Sequence, residues 1–409
     1  MGKKVLVIDD SALMRRAISD IIMADGQFTI VDGANDGGTA LELLEGGKTY
    51  DVIVLDLYMP KMDGIQFLRE MDYNGIRIPV IVTSAVTQKG AKETIQALEI
   101  GAFDFIQKPT NSVGNAFSDF RDELLVQLYC VCGLGEYRRK SENEKAPFSG
   151  SAQTSAPKPE KTSAPKPQKV PALQPKKTPV PEPKQAPPPV EKPKRAQHVL
   201  PEEKVEKTPT PQPRKKTGDK LAVIACSTGG PKALQSVIPM FPKNFPYPIV
   251  VVQHMPYGFT ASLAERLDEM SPLPVKEAED GDVLKNGYVY IAKGGRQCEL
   301  IQQKTGKYLI SENNKPARGG LRPCADIFFE SLTDTAFDEI VCGILTGMGS
   351  DASKGISDVK KYIDVKVVAQ DESTCVVYGM PRAAKEAGLV DDMVPLENVA
   401  DAMMRKIGV

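Results

Sequence analysis

Two histidines occur in the 409-residue chain, and they sit in very different surroundings. His198 lies in a stretch rich in proline and lysine, whereas His254 follows a run of β-branched residues. Histidine is the side chain best suited to moving protons near neutral pH. A folded site that uses one must therefore use His254. Upstream, the apolar run from Leu221 to Cys226 ends in Ser227-Thr228-Gly229-Gly230. Downstream, the run from Ile340 to Leu345 ends in Thr346-Gly347-Met348-Gly349-Ser350-Asp351. A hydroxyl, an imidazole and a carboxylate thus each close a strand-like segment, and together they can carry acyl transfer through a serine. A Gly-Gly helix start after Ser227 leaves backbone N–H groups free to hold a developing oxyanion.

Each residue also has a plainer reading. Ser-Thr-Gly-Gly alone fits a helix cap or a phosphate-binding turn, a lone histidine after a strand fits a structural role, and Asp351 fits a cap for a helix beginning near Ala352. The order Ser, His, Asp is not that of the α/β-hydrolases, and G-x-S-x-G is absent. Triads are defined by geometry, so chain order excludes nothing.

A second constellation lies near the start. Asp9 and Asp10 follow the first strand-like run, Asp56 ends the third, Thr83 and Ser84 end the fourth, and Lys108 follows the fifth. On one edge of a parallel sheet, three carboxylates make a hard oxygen site suited to Mg²⁺. A carboxylate there can accept a phosphoryl group, with Mg²⁺ and a lysine neutralising the transferring oxygens. Singly, each aspartate also fits a turn or a cap.

These residues need a scaffold of alternating strands and helices. Strands are expected at 4–8, 29–31, 52–55, 80–83 and 103–106, with helices such as 12–23 and 90–98 between them. Between about Ser141 and Lys216 the composition changes: more than half of the 33 prolines fall there, Ser-Ala-Pro-Lys-Pro occurs twice, and apolar residues are sparse. Such a segment buries too little surface to offset its ordering entropy and reads as an extended linker. From Leu221 the alternation resumes. Helices are expected at 231–240, 260–270, 325–332, 353–362 and 381–386, strands at 249–252, 287–291, 340–345 and 365–369, and a hairpin around Lys304–Lys307. The fold class is therefore α/β, with two parallel-sheet domains and a small antiparallel insertion in the second.

Lys+Arg (52) and Asp+Glu (53) nearly cancel, which argues against a globally basic nucleic-acid binder. No basic helix-turn-helix pattern follows the linker. No apolar run approaches the roughly 20 residues needed to span a bilayer, and the start leads directly into a strand rather than a signal peptide. The seven cysteines form no framework and read as reduced thiols in a cytoplasmic protein. Cys130-Val131-Cys132 resembles a metal half-site but has no partner pair.

The first constellation resembles the receiver domain of two-component response regulators. The resemblance implies that Asp56 is the phosphoacceptor, Asp9 and Asp10 complete an Mg²⁺ site, Thr83 is the switch hydroxyl, Phe105 the switch aromatic and Lys108 the phosphate-contacting lysine. Farther on stand Ser-Thr-Gly-Gly-Pro, Val-Val-Gln-His-Met-Pro with Gly258-Phe259-Thr260, Val275–Gly281, Tyr290-Ile291-Ala292, Arg322-Pro323, Leu345–Gly349 and Gly379-Met380-Pro381-Arg382. Together these resemble the chemotaxis protein-glutamate methylesterase (CheB) family. It implies a receiver over 1–125, a linker over 126–219 and an esterase over 220–409. It also implies Ser227 as nucleophile, His254 as general base, Asp351 as its orienting carboxylate, the Met348 N–H as oxyanion donor, and Thr228 and Arg322 as neighbours. The implied substrates are glutamate γ-methyl esters and some glutamines on methyl-accepting chemotaxis receptors, and the phosphodonor a histidine kinase. No cofactor is expected at the esterase site, nor any insertion into a membrane. A response regulator with a non-catalytic output domain is the rival class. The sequence departs from the family at Ala352, where glycine is frequent, and in the length of the linker.

Overall fold

The computed structural model describes residues 2–85, 87–109, 115–135, 137 and 217–409. The Pro/Lys-rich segment, with His198, lies outside these residues.

The N-terminal part alternates as β1 (Lys3–Ile8), α1 (Ala12–Asp25), β2 (Phe28–Ala34), α2 (Gly37–Glu45), β3 (Val52–Asp56), α3 (Gly64–Tyr73), β4 (Val80–Ser84), α4 (Gln88–Ile100), β5 (Asp104–Gln107) and α5 (Asn115–Val131). Its five strands run parallel in the order β2-β1-β3-β4-β5. Helix starts follow polar caps: Ser11, Asp36, Asp63 and Thr87 each accept a hydrogen bond from a first-turn N–H. Successive β1 residues face opposite ways. Leu6 and Ile8 join the apolar cluster under α2–α4, while Val5 and Val7 join the one under α1 and α5.

The C-terminal part comprises β6 (Lys220–Cys226), α6 (Gly230–Val237), β7 (Ile249–Gln253), α7 (Thr260–Met270), β8 (Val275–Glu277), β9 (Val289–Ile291), β10 (Gln297–Gln302), β11 (Tyr308–Asn313), α8 (Ala325–Ser331), β12 (Glu339–Ile344), α9 (Ser353–Val359), β13 (Asp364–Gln370), α10 (Met380–Glu386), β14 (Asp392–Val394) and α11 (Val399–Ile407). Seven strands form one sheet in the order β14-β13-β12-β6-β7-β9-β8, with every neighbouring pair parallel. β10 and β11 form a separate antiparallel ribbon. Parallel strands are covered on both faces and so read as continuous apolar runs. Leu221, Val223 and Ala225 pack toward α8–α10, and Ala222, Ile224 and Cys226 toward α6, α7 and α11. Burying Leu221, Val223 and Ile224 contributes roughly 1.5–3 kcal/mol each, which makes the centre of the sheet a stiff support. All seven cysteines are free thiols. Among the described residues, no helix is long and apolar enough to cross a membrane.

The sheet order places β12, β6 and β7 side by side. Asp351, Ser227 and His254 leave the carboxyl ends of these three neighbours, on one edge of the sheet.

Candidate active site

The ladder sets the backbone of the candidate base beside the strand end that carries the candidate nucleophile. The N–H of His254 donates to the Cys226 carbonyl (3.1 Å), so His254 leaves β7 beside the residue that precedes Ser227. Ser227 is held from the other side, where its N–H donates to the Thr346 carbonyl (3.1 Å). Gly347 packs directly on the serine: a Cβ there would lie 2.8 Å from the Ser227 Cβ, so this position requires glycine. Gly229, with φ of 76°, supplies the left-handed turn that starts α6.

His254 Nε2 lies 2.7 Å from Asp351 Oδ2, with both side chains buried. The Asp351 carboxylate has three further donors. The Ala325 N–H reaches Oδ2 (2.6 Å), and the Asp326 N–H (2.9 Å) and Cys324 thiol (3.2 Å) reach Oδ1. Burial alone would raise its pKa. The hydrogen bond and charge of His254 and the amides of Asp326 and Ala325 outweigh this and hold it at about 2. An ionised carboxylate only accepts, so Nε2 carries a proton, and in the neutral imidazole the other ring nitrogen is the acceptor. That nitrogen, Nδ1, is buried and has no hydrogen-bond partner among the described residues. Around Ser227, the N–H groups of Thr228 and Met348 donate to no partner among the described residues. Arg322 is half-buried and has no ion pair or side-chain hydrogen bond there, while its carbonyl accepts from the Gly295 N–H (2.9 Å).

At the edge of the first sheet, Lys108 Nζ bridges Asp9 Oδ2 and Asp56 Oδ2, both at 2.7 Å. Carboxylate oxygens of Asp9, Asp10 and Asp56 all lie within 4.8 Å of one another. Burial pushes the Asp56 carboxyl up, against the pull of Lys108. The buried Thr83 hydroxyl donates to the Leu55 carbonyl (3.4 Å). Phe105 is buried against Phe259, which closes the loop leading into α7. Beside it, burial also pushes the Asp104 carboxyl up, opposed by the Phe105 N–H and by the side chains of Thr228 and Gln127.

Comparison with known proteins bears on both edges. A family described as CheB methylesterase matches residues 222–403, and one described as response regulator receiver domain matches residues 5–113. A protein-glutamate methylesterase/protein-glutamine glutaminase of Bacillus subtilis (strain 168) is 39% identical over 400 residues, covering 97% of this chain and 96% of its own. The chain belongs to the CheB family. A protein of the same description from Pyrococcus abyssi is 35% identical over 405 residues, covering 99% of this chain and 93% of its own. The crystallised CheB methylesterase catalytic domain of Thermotoga maritima is 44% identical, covers 46% of this chain and 98% of its own, and superposes with a TM-score of 0.44.

Ser227, His254 and Asp351 fall at the edge of the second sheet and Asp9, Asp10, Asp56, Thr83 and Lys108 at the edge of the first, whereas Cys130 lies in α5, Cys132 follows it, and His198 falls outside the described residues. The sequence reading gave no role to three contributors. Gln253 has its buried amide on the carbonyls of Ser227 and His254, and Cys324 has its thiol on Asp351. Phe259 takes the Phe105 ring. Gln253 and Phe259 both stand inside motifs that carry the family resemblance, and Gln253 is also a polar residue ending an otherwise apolar strand, whereas Cys324 left no signal.

Proposed function

We propose that the protein removes methyl groups from glutamate γ-methyl esters on methyl-accepting chemotaxis receptors, releasing methanol, and deamidates receptor glutamines. A Ser227 acyl-enzyme carries both reactions, and phosphorylation of Asp56 activates them by relieving a restraint that the receiver places on the esterase. The observation that carries this reading is the arrangement of His254: Nε2 is committed to a carboxylate with three further donors, and Nδ1 is buried with no partner among the described residues.

In this mechanism Nδ1 takes the proton of the Ser227 hydroxyl as Oγ attacks the side-chain carbonyl carbon. The negative oxygen of the tetrahedral intermediate faces the free N–H groups of Thr228 and Met348. Collapse breaks the C–O bond of an ester, or the C–N bond of an amide, and His254 gives its proton to the departing methanol or ammonia. Water then attacks the acyl-serine with His254 again as base, and glutamate leaves. Asp351 stabilises the imidazolium formed in each half. Thr228 and Arg322 line the approach.

The receiver edge fits a hard cation, since three carboxylates converge within 4.8 Å. Asp9, Asp10 and Asp56 would hold Mg²⁺, which when bound supplies positive charge to the phosphoryl oxygens. Asp56 would attack the phosphorus of a chemotaxis histidine kinase's phosphohistidine, breaking its P–N bond, with Lys108 freed to contact the phosphoryl group. The Thr83 hydroxyl and Phe105 would relay the change to Phe259. The setting is the cytoplasm, with neither nucleic acid nor membrane insertion involved.

The test is methanol release from radiolabelled methylated receptor. Ser227→Ala and His254→Ala are each expected to abolish it in a folded protein. A folded Ser227→Ala protein working at the wild-type rate would falsify the assignment.

A further inference from the structure

Gln253 ends β7 after Ile249, Val250, Val251 and Val252, and it is only 1% exposed. A primary amide is costly to bury without partners, so its partners indicate its use. Its Nε2 donates to the Ser227 carbonyl and to the His254 carbonyl, both at 3.0 Å. Its Oε1 accepts from the Cys226 thiol at 3.0 Å. Two carbonyls can only accept, so the amide has one workable orientation. Space is kept for it: a Cβ on Gly230 would lie 2.0 Å from Oε1.

We propose that Gln253 is a positioning residue that keeps the oxyanion site around Ser227 formed before substrate arrives. The inference rests on Ser227 being the nucleophile. A trans peptide is planar, with its C=O and N–H pointing opposite ways. Holding the Ser227 carbonyl inward therefore aims the Thr228 N–H outward, to the side where the serine attacks. The Gly230 N–H holds the same carbonyl (2.7 Å), so the Ser227–Thr228 peptide is fixed at two points. The same amide ties this peptide to the His254 backbone, beyond the last rung between β6 and β7. Without Gln253 the peptide can rotate, and a carbonyl then faces the developing negative charge.

The test compares the full-length protein with its Gln253→Met variant, which keeps the volume and removes the donors. Three quantities are measured on methylated receptor: kcat, KM, and inhibition by a boronic acid, whose adduct with serine mimics the tetrahedral intermediate. Losing one oxyanion donor typically lowers kcat by about 10²–10³-fold. A partly mobile peptide is expected to lower it by about 10–100-fold, with KM within about threefold and boronate affinity falling in step with kcat. A purely structural role would lower the melting temperature and leave both quantities unchanged in the folded protein. Wild-type kcat and boronate affinity in folded Gln253→Met would overturn the inference. Should that variant fail to fold, Gln253→Asn, whose amide is one methylene too short to reach both carbonyls, carries the same expectation. Ser227→Ala run in parallel separates the two readings. Activity surviving in it overturns the nucleophile, whereas an inactive Ser227→Ala beside a wild-type-like Gln253 variant overturns only the positioning role.

Discussion

The ring of Phe105, in β5 of the first sheet, lies 4.6 Å centroid to centroid from the ring of Phe259, with the planes tilted by 40°. Both rings are buried, at 5% and 0% exposure. Flanking them, Arg266 pairs with Glu99 (2.6 Å) and Lys92 with Glu265 (2.8 Å), all partly exposed. Exposed ion pairs contribute little once screened by solvent and salt, whereas a buried aromatic pair contributes through both area and ring geometry. Phe105→Ala is therefore expected to raise basal methanol release without phosphodonor by up to about tenfold, and Glu99→Arg by less than about twofold. Basal activity in Phe105→Ala equal to wild type would show that this contact does not restrain the esterase.

Asp351 should make stability depend on acid in a defined window. Its folded pKa of about 2 lies below the ordinary carboxylate value of 3.8. The stabilisation is complete above pH 4 and disappears as pH falls toward 2, because the unfolded chain takes up the proton first. Asp351→Asn is expected to be less stable than wild type at neutral pH, with the gap closing between pH 4 and 2 in urea titrations. A gap independent of pH would mean that the carboxylate's charge is not what stabilises the loop. Catalysis should fall too, by as much as about 10⁴-fold, since the amide cannot stabilise an imidazolium.

For the receiver edge, acetyl phosphate with Mg²⁺ should label the wild type and leave Asp56→Asn unlabelled. Chelation with EDTA should prevent labelling, because three clustered carboxylates cannot receive a further anion without the cation. Undiminished labelling of Asp56→Asn would place the acceptor elsewhere.

Ala352, the residue after Asp351, is fully buried with φ of 79°, a left-handed conformation that costs a non-glycine residue roughly 1–2 kcal/mol. Ala352→Gly relieves this strain but loses a buried methyl and adds about 0.5–1 kcal/mol of unfolded-state entropy. The terms nearly cancel, so its stability should stay within about 1 kcal/mol of wild type. Ala352→Val adds β-branching and volume in the same conformation and should lower stability by more than about 2 kcal/mol. Equal melting temperatures for the glycine and valine variants would remove the strain argument.

How much of this was legible depends on what each residue answers to. Apolar runs bounded by polar residues placed most long strands within a residue or two, as at Val52–Leu55 against the observed Val52–Asp56, but β2, expected over 29–31, runs on to Ala34 through Asp32 and Gly33, which break its apolar run. Three-residue strands such as β8 and β14 carry no periodicity and went unread, as did α11. The helix expected over 231–240 stops at Val237 and tightens to a 3₁₀ turn, because Pro239 cannot donate into the α-helical ladder. Ser227, His254 and Asp351 stood out because each is polar at the end of an apolar run. Cys324 did not, since in sequence a cysteine reads as a small hydrophobe, and its contact with Asp351 exists only once α8 has docked beside α9. The hydrogen bonds of Gln253 likewise depend on β6 and β7 lying side by side.

The carboxylate of Asp351 also accepts the amide hydrogens of Ala325 and Asp326, at the first turn of α8. Those two hydrogens can exchange with deuterium from solvent only when the Asp351 loop and α8 come apart. Their exchange rate therefore reports how often the Asp351 carboxylate is in place, with no substrate, inhibitor or turnover required. A peptide spanning 325 and 326, followed by mass spectrometry before and after phosphoryl transfer, would show whether signalling assembles the site or merely uncovers one already assembled.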